Sequence, residues 1–89
     1  MGLDIVEFVL LTEKEFDLKL SDDEVGLVVT VGGFSDLIHQ KIIVKHGLKP
    51  CPSQNEIYYR IKNLLIKQFA IPEALISRSA RFVDVLQMN

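Results

Sequence analysis

A single break divides this sequence into two helix-forming stretches. Residues 46–52 read His-Gly-Leu-Lys-Pro-Cys-Pro, so a glycine suited to end a helix is followed by two prolines that cannot continue one. On both sides of the break, apolar residues recur at the spacing of a helix that buries one face. The 89 residues therefore predict a single domain, 1–89, whose helices pack together across a linker at 46–54.

Three helices are predicted before the linker. The first spans residues 3–16, and its apolar side is predicted to be Leu3, Val6, Val9, Leu10 and Phe16. Ser21 and Glu24 have the spacing of a capping box, which opens a short second helix. Thr30 caps a third helix, in which Gly32 and Gly33 each cost about 1 kcal/mol relative to alanine. The buried side of the third helix is predicted to be Val31, Phe34, Leu37, Ile38 and Ile42.

One long helix and an anchored loop are predicted after the linker. Ser53 and Glu56 form a second capping box, which begins a helix that ends near Phe69. The apolar side of this helix is predicted to be Ile57, Ile61, Leu64, Leu65 and Ile66. A loop containing Pro72 follows, with buried anchors predicted at Ile71, Ile76, Phe82, Val83 and Leu86. Because no apolar run has a partner strand, the predicted fold is all-α, a small bundle of three main helices and one short helix.

The charge pattern argues against two classes of partner. The 10 basic and 12 acidic residues are interspersed, so no basic stripe indicates nucleic acid and no basic amphipathic helix indicates a membrane surface. Apolar runs such as residues 25–31 are far shorter than a membrane span, and the N-terminus lacks the basic start of a signal peptide. We therefore expect a cytoplasmic protein that binds neither nucleic acid nor membrane.

The chemically active residue types do not form a catalytic or metal constellation. Cys51 is the only cysteine, so an intramolecular disulfide is impossible and zinc ligation by cysteine has too few partners. His39 and His46 have no nearby ligand at metal-binding spacing. Ser35, Asp36 and His39 are the residue types of a Ser-His-Asp hydrolase, but these positions on one helix do not place nucleophile, base and acid in line. We expect neither an enzyme nor a metal site.

Residues 3–17, Leu-Asp-Ile-Val-Glu-Phe-Val-Leu-Leu-Thr-Glu-Lys-Glu-Phe-Asp, resemble the second helix of acyl carrier proteins. The pattern of that helix is L-D-x-V-E-L-V-x-x-L-E-E-E-F-D. Residues 18–24 are similar to the family's loop into its short third helix, and Thr-Val-Gly-Gly at 30–33 is similar to the T-V-G-D that opens its last helix. Residues 1–45 thus resemble the second half of a carrier protein.

The remaining residues resemble the first half of the same family, displaced to the end of the chain. Residues 57–69 are similar to its first helix, and residues 76–86 are similar to its I-x-x-x-A-x-F-x-x-D-L loop. Val85 stands where an acidic residue is usual. Residues 55–89 therefore resemble the first half, and the resemblance as a whole implies a circularly permuted carrier fold.

The two ends of the chain complete one motif when the C-terminus is read into the N-terminus. Residues 86–89 followed by residues 3–7 match nearly all of the signature L-G-x-D-S-L-D-x-V-E, without its serine. Asn89 then occupies the position of the aspartate and Gly2 that of the serine, to which the family attaches 4'-phosphopantetheine. The resemblance implies a scaffold of fatty-acid or polyketide biosynthesis, with no cofactor expected on this chain.

Several origins of this order stay open on the sequence alone. The chain is expected to be either a permuted carrier scaffold, an engineered permutant, or a segment of tandem carrier domains. In the last two cases the halves could pair between chains, as in a domain-swapped homodimer. Whether Met1 and Gly2 are native is equally open.

Four acidic residues of the first helix match positions at which the family's second helix meets basic patches on partner enzymes. These are Asp4, Glu7, Glu13 and Glu15. The resemblance implies docking of enzymes of acyl-chain synthesis through helix 3–16, although Lys14 interrupts the row and a solvated polar face is the alternative. The family's interior also shelters the acyl chain, and the candidates for that lining are Val6, Leu10, Phe34, Leu37, Ile38 and Ile61. Core packing explains these six without a ligand and is the favoured interpretation.

Overall fold

The computed structural model describes residues 3–47, 53–84 and 86. Its helices are α1 (Leu3–Phe16), α2 (Asp22–Gly26), α3 (Val31–His46) and α4 (Gln54–Phe69), followed by a 3₁₀ turn at Glu73–Leu75. Among the described residues, extended structure is limited to one isolated antiparallel bridge between Thr30 and Arg81. The predicted all-α bundle of three long helices and one short helix is confirmed. In the described part of the chain, no helix is long and apolar enough to cross a lipid bilayer.

The predicted N-caps of α2, α3 and α4 are present in the structure, and of the two predicted capping boxes the one at Ser21 is complete. Ser21 Oγ accepts the N–H of Glu24, and the Glu24 carboxylate accepts the N–H of Ser21, which completes a capping box. Thr30 Oγ1 accepts the N–H of the residue three positions on at 3.1 Å, and Ser53 Oγ does the same at 3.1 Å. These bonds satisfy N–H groups that the first helical turn leaves without an intrahelical partner, so α2, α3 and α4 each begin where the cap predicts.

The predicted apolar faces of α3 and α4 form most of the core. The fully or nearly fully buried residues of these two helices include Val31, Phe34, Ile38, Ile42, Ile57, Ile61 and Leu65. Leu64 and Ile66 are partly buried and pack against this core. Leu37 is also only partly buried. Since α3 and α4 pack against each other, the linker joins two helices that are neighbours in space.

The predicted apolar face of α1 is wrong for two residues. Val6 is 40% exposed and Leu10 is 58% exposed, whereas Phe8, Thr12 and Phe16 face the core. The Thr12 hydroxyl donates to the Phe8 carbonyl oxygen at 2.8 Å, so a polar side chain lies in the buried stripe without losing its hydrogen bond. Because Thr12 is polar, it interrupts the apolar spacing from which the buried face of a helix is predicted.

An aromatic cluster joins three helices and the C-terminal loop. The ring of Phe8 lies 5.0 Å from that of Phe34 on α3, 5.9 Å from that of Phe69 on α4 and 5.6 Å from that of Phe82 in the loop, centroid to centroid. These distances are those of favourable aromatic pairs. Burial of Phe8 therefore decides which face of α1 turns inward.

The loop at 76–86 is fixed to the start of α3 by backbone hydrogen bonds. The N–H of Val31 donates to the carbonyl oxygen of Ala80 at 3.0 Å, and the N–H of Gly32 donates to that of Arg78 at 2.8 Å. A Cβ atom at Gly32 would lie 2.7 Å from the same Arg78 oxygen, so this close approach requires glycine.

The loop anchors are confirmed except for one. Ile71, Ile76, Phe82 and Leu86 are buried as predicted. Val83 is 56% exposed, so its prediction as an anchor is wrong. Phe82 takes the buried position in the aromatic cluster, and the next side chain along the loop is more than half exposed.

Candidate functional site

The exposed face of α1 combines apolar and acidic side chains. Asp4 and Glu7 are exposed on the first two turns of the helix, as are Val6 and Leu10. Val6 and Leu10 are four residues apart and therefore lie on the same side of α1. We call these four residues the α1 face. Two aliphatic side chains beside two carboxylates make a small surface suited to a partner with an apolar recess and nearby cations.

The other two predicted docking acids have partners within the chain. Glu13 Oε2 accepts the N–H of Leu20 at 2.7 Å, which ties the end of α1 to the connector that follows it. Glu15 Oε2 accepts from Arg60 Nη2 at 2.7 Å and from Arg60 Nε at 3.1 Å. The guanidinium carbon of Arg60 also lies 4.4 Å from the centroid of the Phe16 ring. Glu13 and Glu15 thus hold α1 to its neighbours, and Asp4 and Glu7 are the more accessible carboxylates.

The predicted attachment position lies at the edge of the described chain. Gly2 and Asn89, which match the serine and the preceding aspartate of the carrier signature, are outside the described residues. The first turn of α1 that the structure describes reads Leu-Asp-Ile-Val and contains no hydroxyl. Thr12 is the hydroxyl residue of α1, and it is fully buried. The described residues of α1 therefore do not fit the covalent attachment of a phosphopantetheine arm.

Apart from Ser35, the serines of the described chain cap helices or lie in exposed positions. Ser21 and Ser53 cap α2 and α4. Ser77 and Ser79 are exposed in the C-terminal loop, with their Oγ atoms 3.4 Å apart. Ser35 is fully buried, and its Oγ has no hydrogen-bond partner within the described residues.

The three residues of the rejected hydrolase constellation are not assembled as one. A base within hydrogen-bond reach of Ser35 Oγ would be needed to activate it, and the described residues supply none. The Asp36 carboxylate accepts from Arg78 Nη2 at 2.8 Å and from Gln54 Nε2 at 2.5 Å. Burial raises the pKa of Asp36, but these two hydrogen bonds together with the nearby positive charge of Arg78 lower it, so the pKa lies below its ordinary value. Asp36 therefore joins α3, α4 and the loop as a carboxylate.

The described side chains form no cluster of three or more metal-ligating groups. His39 lies on α3 and is partly buried. The side chain of His46 and residue Cys51 lie outside the part of the chain that the structure describes.

A small apolar cavity of about 160 Å³ lies beside the aromatic cluster. It is lined by α1, by the stretch from α2 to the start of α3, and by the C-terminal loop. The lining residues are Ile5, Phe8, Val9, Val25, Gly26, Val28, Val29, Phe34, Arg81, Phe82 and Val83. Only one polar side chain, that of Arg81, belongs to this lining, so the cavity suits an apolar group.

Of the six residues predicted as a possible lining, only Phe34 borders this cavity. Ile38 and Ile61 are fully buried in the core, as the favoured interpretation predicts. Leu37 borders a separate surface groove beside Lys41 and Val44. Val6 and Leu10 are neither core nor lining, because they belong to the exposed α1 face. The lining residues from 25 to 29 were not predicted as part of a cavity, although their apolar run was the available signal.

The comparisons with known proteins find one kind of similarity. No protein-family model and no solved structure matches this chain. A stretch of 48 residues, 54% of the chain, is 35% identical to an acyl carrier protein of Cyanophora paradoxa and covers 47% of that protein. The chain thus spans about half the length of this curated relative, and over that stretch it is similar to an acyl carrier protein.

Proposed function

We propose that this chain is an acyl-carrier-protein-like docking module that serves fatty-acid or polyketide biosynthesis, is not itself an enzyme, and does not carry the 4'-phosphopantetheine arm. The observation that carries the proposal is the α1 face, where Val6 and Leu10 are exposed on the same helix as the exposed acids Asp4 and Glu7. The helical fold and the similarity to an acyl carrier protein support the family role.

The α1 face has the composition of a protein contact. An aliphatic residue that is exposed in the free protein and buried on binding contributes affinity, because its apolar surface leaves water. Exposed carboxylates beside it favour encounter with a basic partner and help to set its orientation. Glu13 and Glu15, engaged within the chain, contribute less to such a surface, so the docking site is smaller than the four-acid row that the sequence predicts.

The loss of the arm rests on a different observation. Attachment requires an accessible hydroxyl at the start of α1, and the first described turn offers none. Gly2 has no hydroxyl, and Asn89 cannot act as the aspartate of the signature. We infer that this chain binds the partner enzymes of a carrier without presenting an acyl group to them.

The permuted order is part of the proposal. Residues 1–45 correspond to the second half of a carrier and residues 55–89 to the first, joined through the linker at 46–54. The packing of α3 against α4 supports this order, because a short linker can join the two old termini only if those helices are neighbours. The similarity over about half of each protein is also the extent that one of the two halves would produce.

A competition assay tests docking. A phosphopantetheinyl transferase loads an ordinary acyl carrier protein, and this chain is added as a competitor. We expect this chain to slow loading of the carrier protein. We expect Leu10→Asp to raise the concentration of competitor required for half-maximal inhibition by roughly tenfold, as for a residue central to an interface. Val44→Asp is the matched control, because Val44 is also an exposed aliphatic residue but lies on α3. An equal loss of competition in the Leu10→Asp and Val44→Asp variants, or no competition by the original chain, would contradict the α1 face as the docking site.

An intact-mass measurement tests the loss of the arm. The chain is incubated with coenzyme A and the transferase, beside a Gly2→Ser variant. We expect the original chain to stay unmodified and the variant to gain one phosphopantetheine. Modification of the original chain would overturn the proposal, and fragmentation would identify the serine that carries the arm.

The alternative, in which halves pair between chains, predicts a different mass in solution. A closed single chain has a mass of 10.1 kDa, and a domain-swapped homodimer has twice that value. Contacts of α1 and α3 with α4 within one chain support the closed form. Light scattering at several protein concentrations distinguishes the two.

A further inference from the structure

An acid and a base lie on either side of the exposed leucine of α1. Glu7 is three residues before Leu10 and Lys14 is four residues after it, so all three side chains share one side of the helix. Val6 lies one turn before Leu10 on the same side. All four residues are exposed. Along its axis, α1 therefore presents a negative charge, an apolar centre and a positive charge.

These two charges are not paired within the part of the chain that the structure describes. The ion pairs of the described residues involve other side chains, and Glu7 and Lys14 take part in none of them. An α-helix rises 1.5 Å per residue, so seven positions separate Glu7 from Lys14 by about 10.5 Å along the axis. The two residues are thus too far apart to pair with each other. An opposite charge for either can come from a second molecule.

A second copy of α1 supplies both opposite charges when it lies antiparallel to the first. A two-fold axis perpendicular to α1 and close to Leu10 brings the leucines of the two copies together. Because Glu7 and Lys14 lie at nearly equal distances from this axis, Glu7 of each copy faces Lys14 of the other. Two identical pairs form, as a two-fold symmetric contact requires. A parallel arrangement would instead place like charges opposite each other, so the charge pattern selects the antiparallel one.

We propose that two copies of this chain associate through the α1 face and Lys14 as an antiparallel, two-fold symmetric dimer. Burial of Val6 and Leu10 supplies the apolar part of the contact, and the two Glu7–Lys14 pairs set its direction and register. Each copy keeps its own closed fold, so this dimer differs from one in which the halves are exchanged between chains.

The proposed dimer is weak and covers the docking surface. A contact between two single helices of this length buries less than the roughly 1,200 Å² of a stable interface, so the dimer forms and dissociates reversibly. Because it covers Val6 and Leu10, dimer formation and docking of a partner through these residues exclude each other. The inference goes beyond the proposed function. Its test contains no partner enzyme, so either proposal can fail without the other.

Sedimentation velocity over a series of protein concentrations measures dimer formation, and charge reversal tests the register. In Lys14→Glu both pairs become repulsive, so we expect the dimer dissociation constant to rise roughly tenfold. Lys67→Glu is the matched control, because it makes the same change of net charge at an exposed position of α4. We expect this control to leave dimer formation nearly unchanged. The double variant Glu7→Lys with Lys14→Glu restores both pairs with their signs exchanged, so we expect it to form dimers as the original chain does.

Three results would overturn this dimer. They are an original chain that stays monomeric at every concentration, dimer formation that Lys14→Glu does not weaken more than Lys67→Glu does, and a folded double variant that stays monomeric. Should a variant fail to fold, NMR of the original chain decides. We expect the amide chemical shifts of Glu7, Leu10 and Lys14 to change with protein concentration. Changes confined to other helices would place the contact elsewhere and contradict the proposal.

Discussion

Replacing Ser35 by alanine is expected to stabilise this protein, although most substitutions of buried residues destabilise. Ser35 is fully buried on α3, and its Oγ has no hydrogen-bond partner among the described residues. A hydroxyl that leaves water without gaining a partner costs about 1–3 kcal/mol. Alanine removes that cost from the folded state.

Two smaller effects modify the expected gain. Alanine favours the helix over serine by about 0.5 kcal/mol. Loss of one oxygen atom leaves a small void, which offsets part of the gain at about 24 cal/mol for each Å³. The expected increase in the free energy of unfolding is therefore about 1–2 kcal/mol.

Thr12 provides the matched comparison, because it is the other fully buried hydroxyl residue of the described chain. Its Oγ1 donates to the Phe8 carbonyl oxygen at 2.8 Å. Thr12→Val keeps the side-chain shape and removes a hydrogen bond that is made, so it is expected to destabilise by about 0.5–1.5 kcal/mol. The two variants should thus move in opposite directions.

Urea unfolding followed by far-UV circular dichroism measures both changes. The midpoint should rise for Ser35→Ala and fall for Thr12→Val, with the slope m unchanged, because an altered slope would indicate a change in the denatured state. A decrease of more than about 0.5 kcal/mol in the free energy of unfolding of Ser35→Ala would refute the reasoning, because such a decrease would require a hydrogen-bond partner for Ser35.

Three further predictions concern packing and charge. Gly32→Ala is expected to destabilise the protein by about 1–3 kcal/mol, because its Cβ would lie 2.7 Å from a loop carbonyl oxygen. Gly26→Ala is the control, because its Cβ meets no atom within 4 Å and the variant should be neutral or slightly stabilising. Thermal unfolding measures the stability of both variants. Phe8→Ala is expected to cost about 3–5 kcal/mol in urea unfolding, because it removes the ring shared by three aromatic contacts, and a cost below about 1 kcal/mol would contradict that cluster. The hydrogen bond from Lys41, with a second from a backbone N–H, lowers the pKa of Glu24 to about 2. Its stabilising contribution is present above the ordinary value of 4.5 and is lost as the pH falls towards 2, so Glu24→Gln should flatten the acid side of a Tm against pH curve.

Local signals account for most of the helical architecture. The caps at Ser21, Thr30 and Ser53 act within three residues of themselves, so their hydrogen bonds can be predicted from spacing alone. The buried faces of α3 and α4 follow from periodicity, because their apolar residues fall on one side. Helix positions, the all-α class and most of the core were therefore predictable.

The candidate site was predictable only in outline. Its helix and two accessible acids, Asp4 and Glu7, follow from the sequence pattern. The partners of Glu13 and Glu15 do not, because Arg60 lies 45 residues from Glu15 and no local rule connects them. The α1 face therefore has fewer acidic residues and more apolar residues than the sequence pattern predicts.

The amino-acid sequence by itself determined where the helices begin and end and which residue types they carry. Only the tertiary structure decided which side of α1 faces inward. Apolar residues surround α1 on more than one side, so periodicity permits more than one buried face. Packing of Phe8 against rings from α3, α4 and the loop selects one of them and leaves Val6 and Leu10 in water. Contacts between residues distant in sequence supply that free-energy difference, and a local pattern does not contain it.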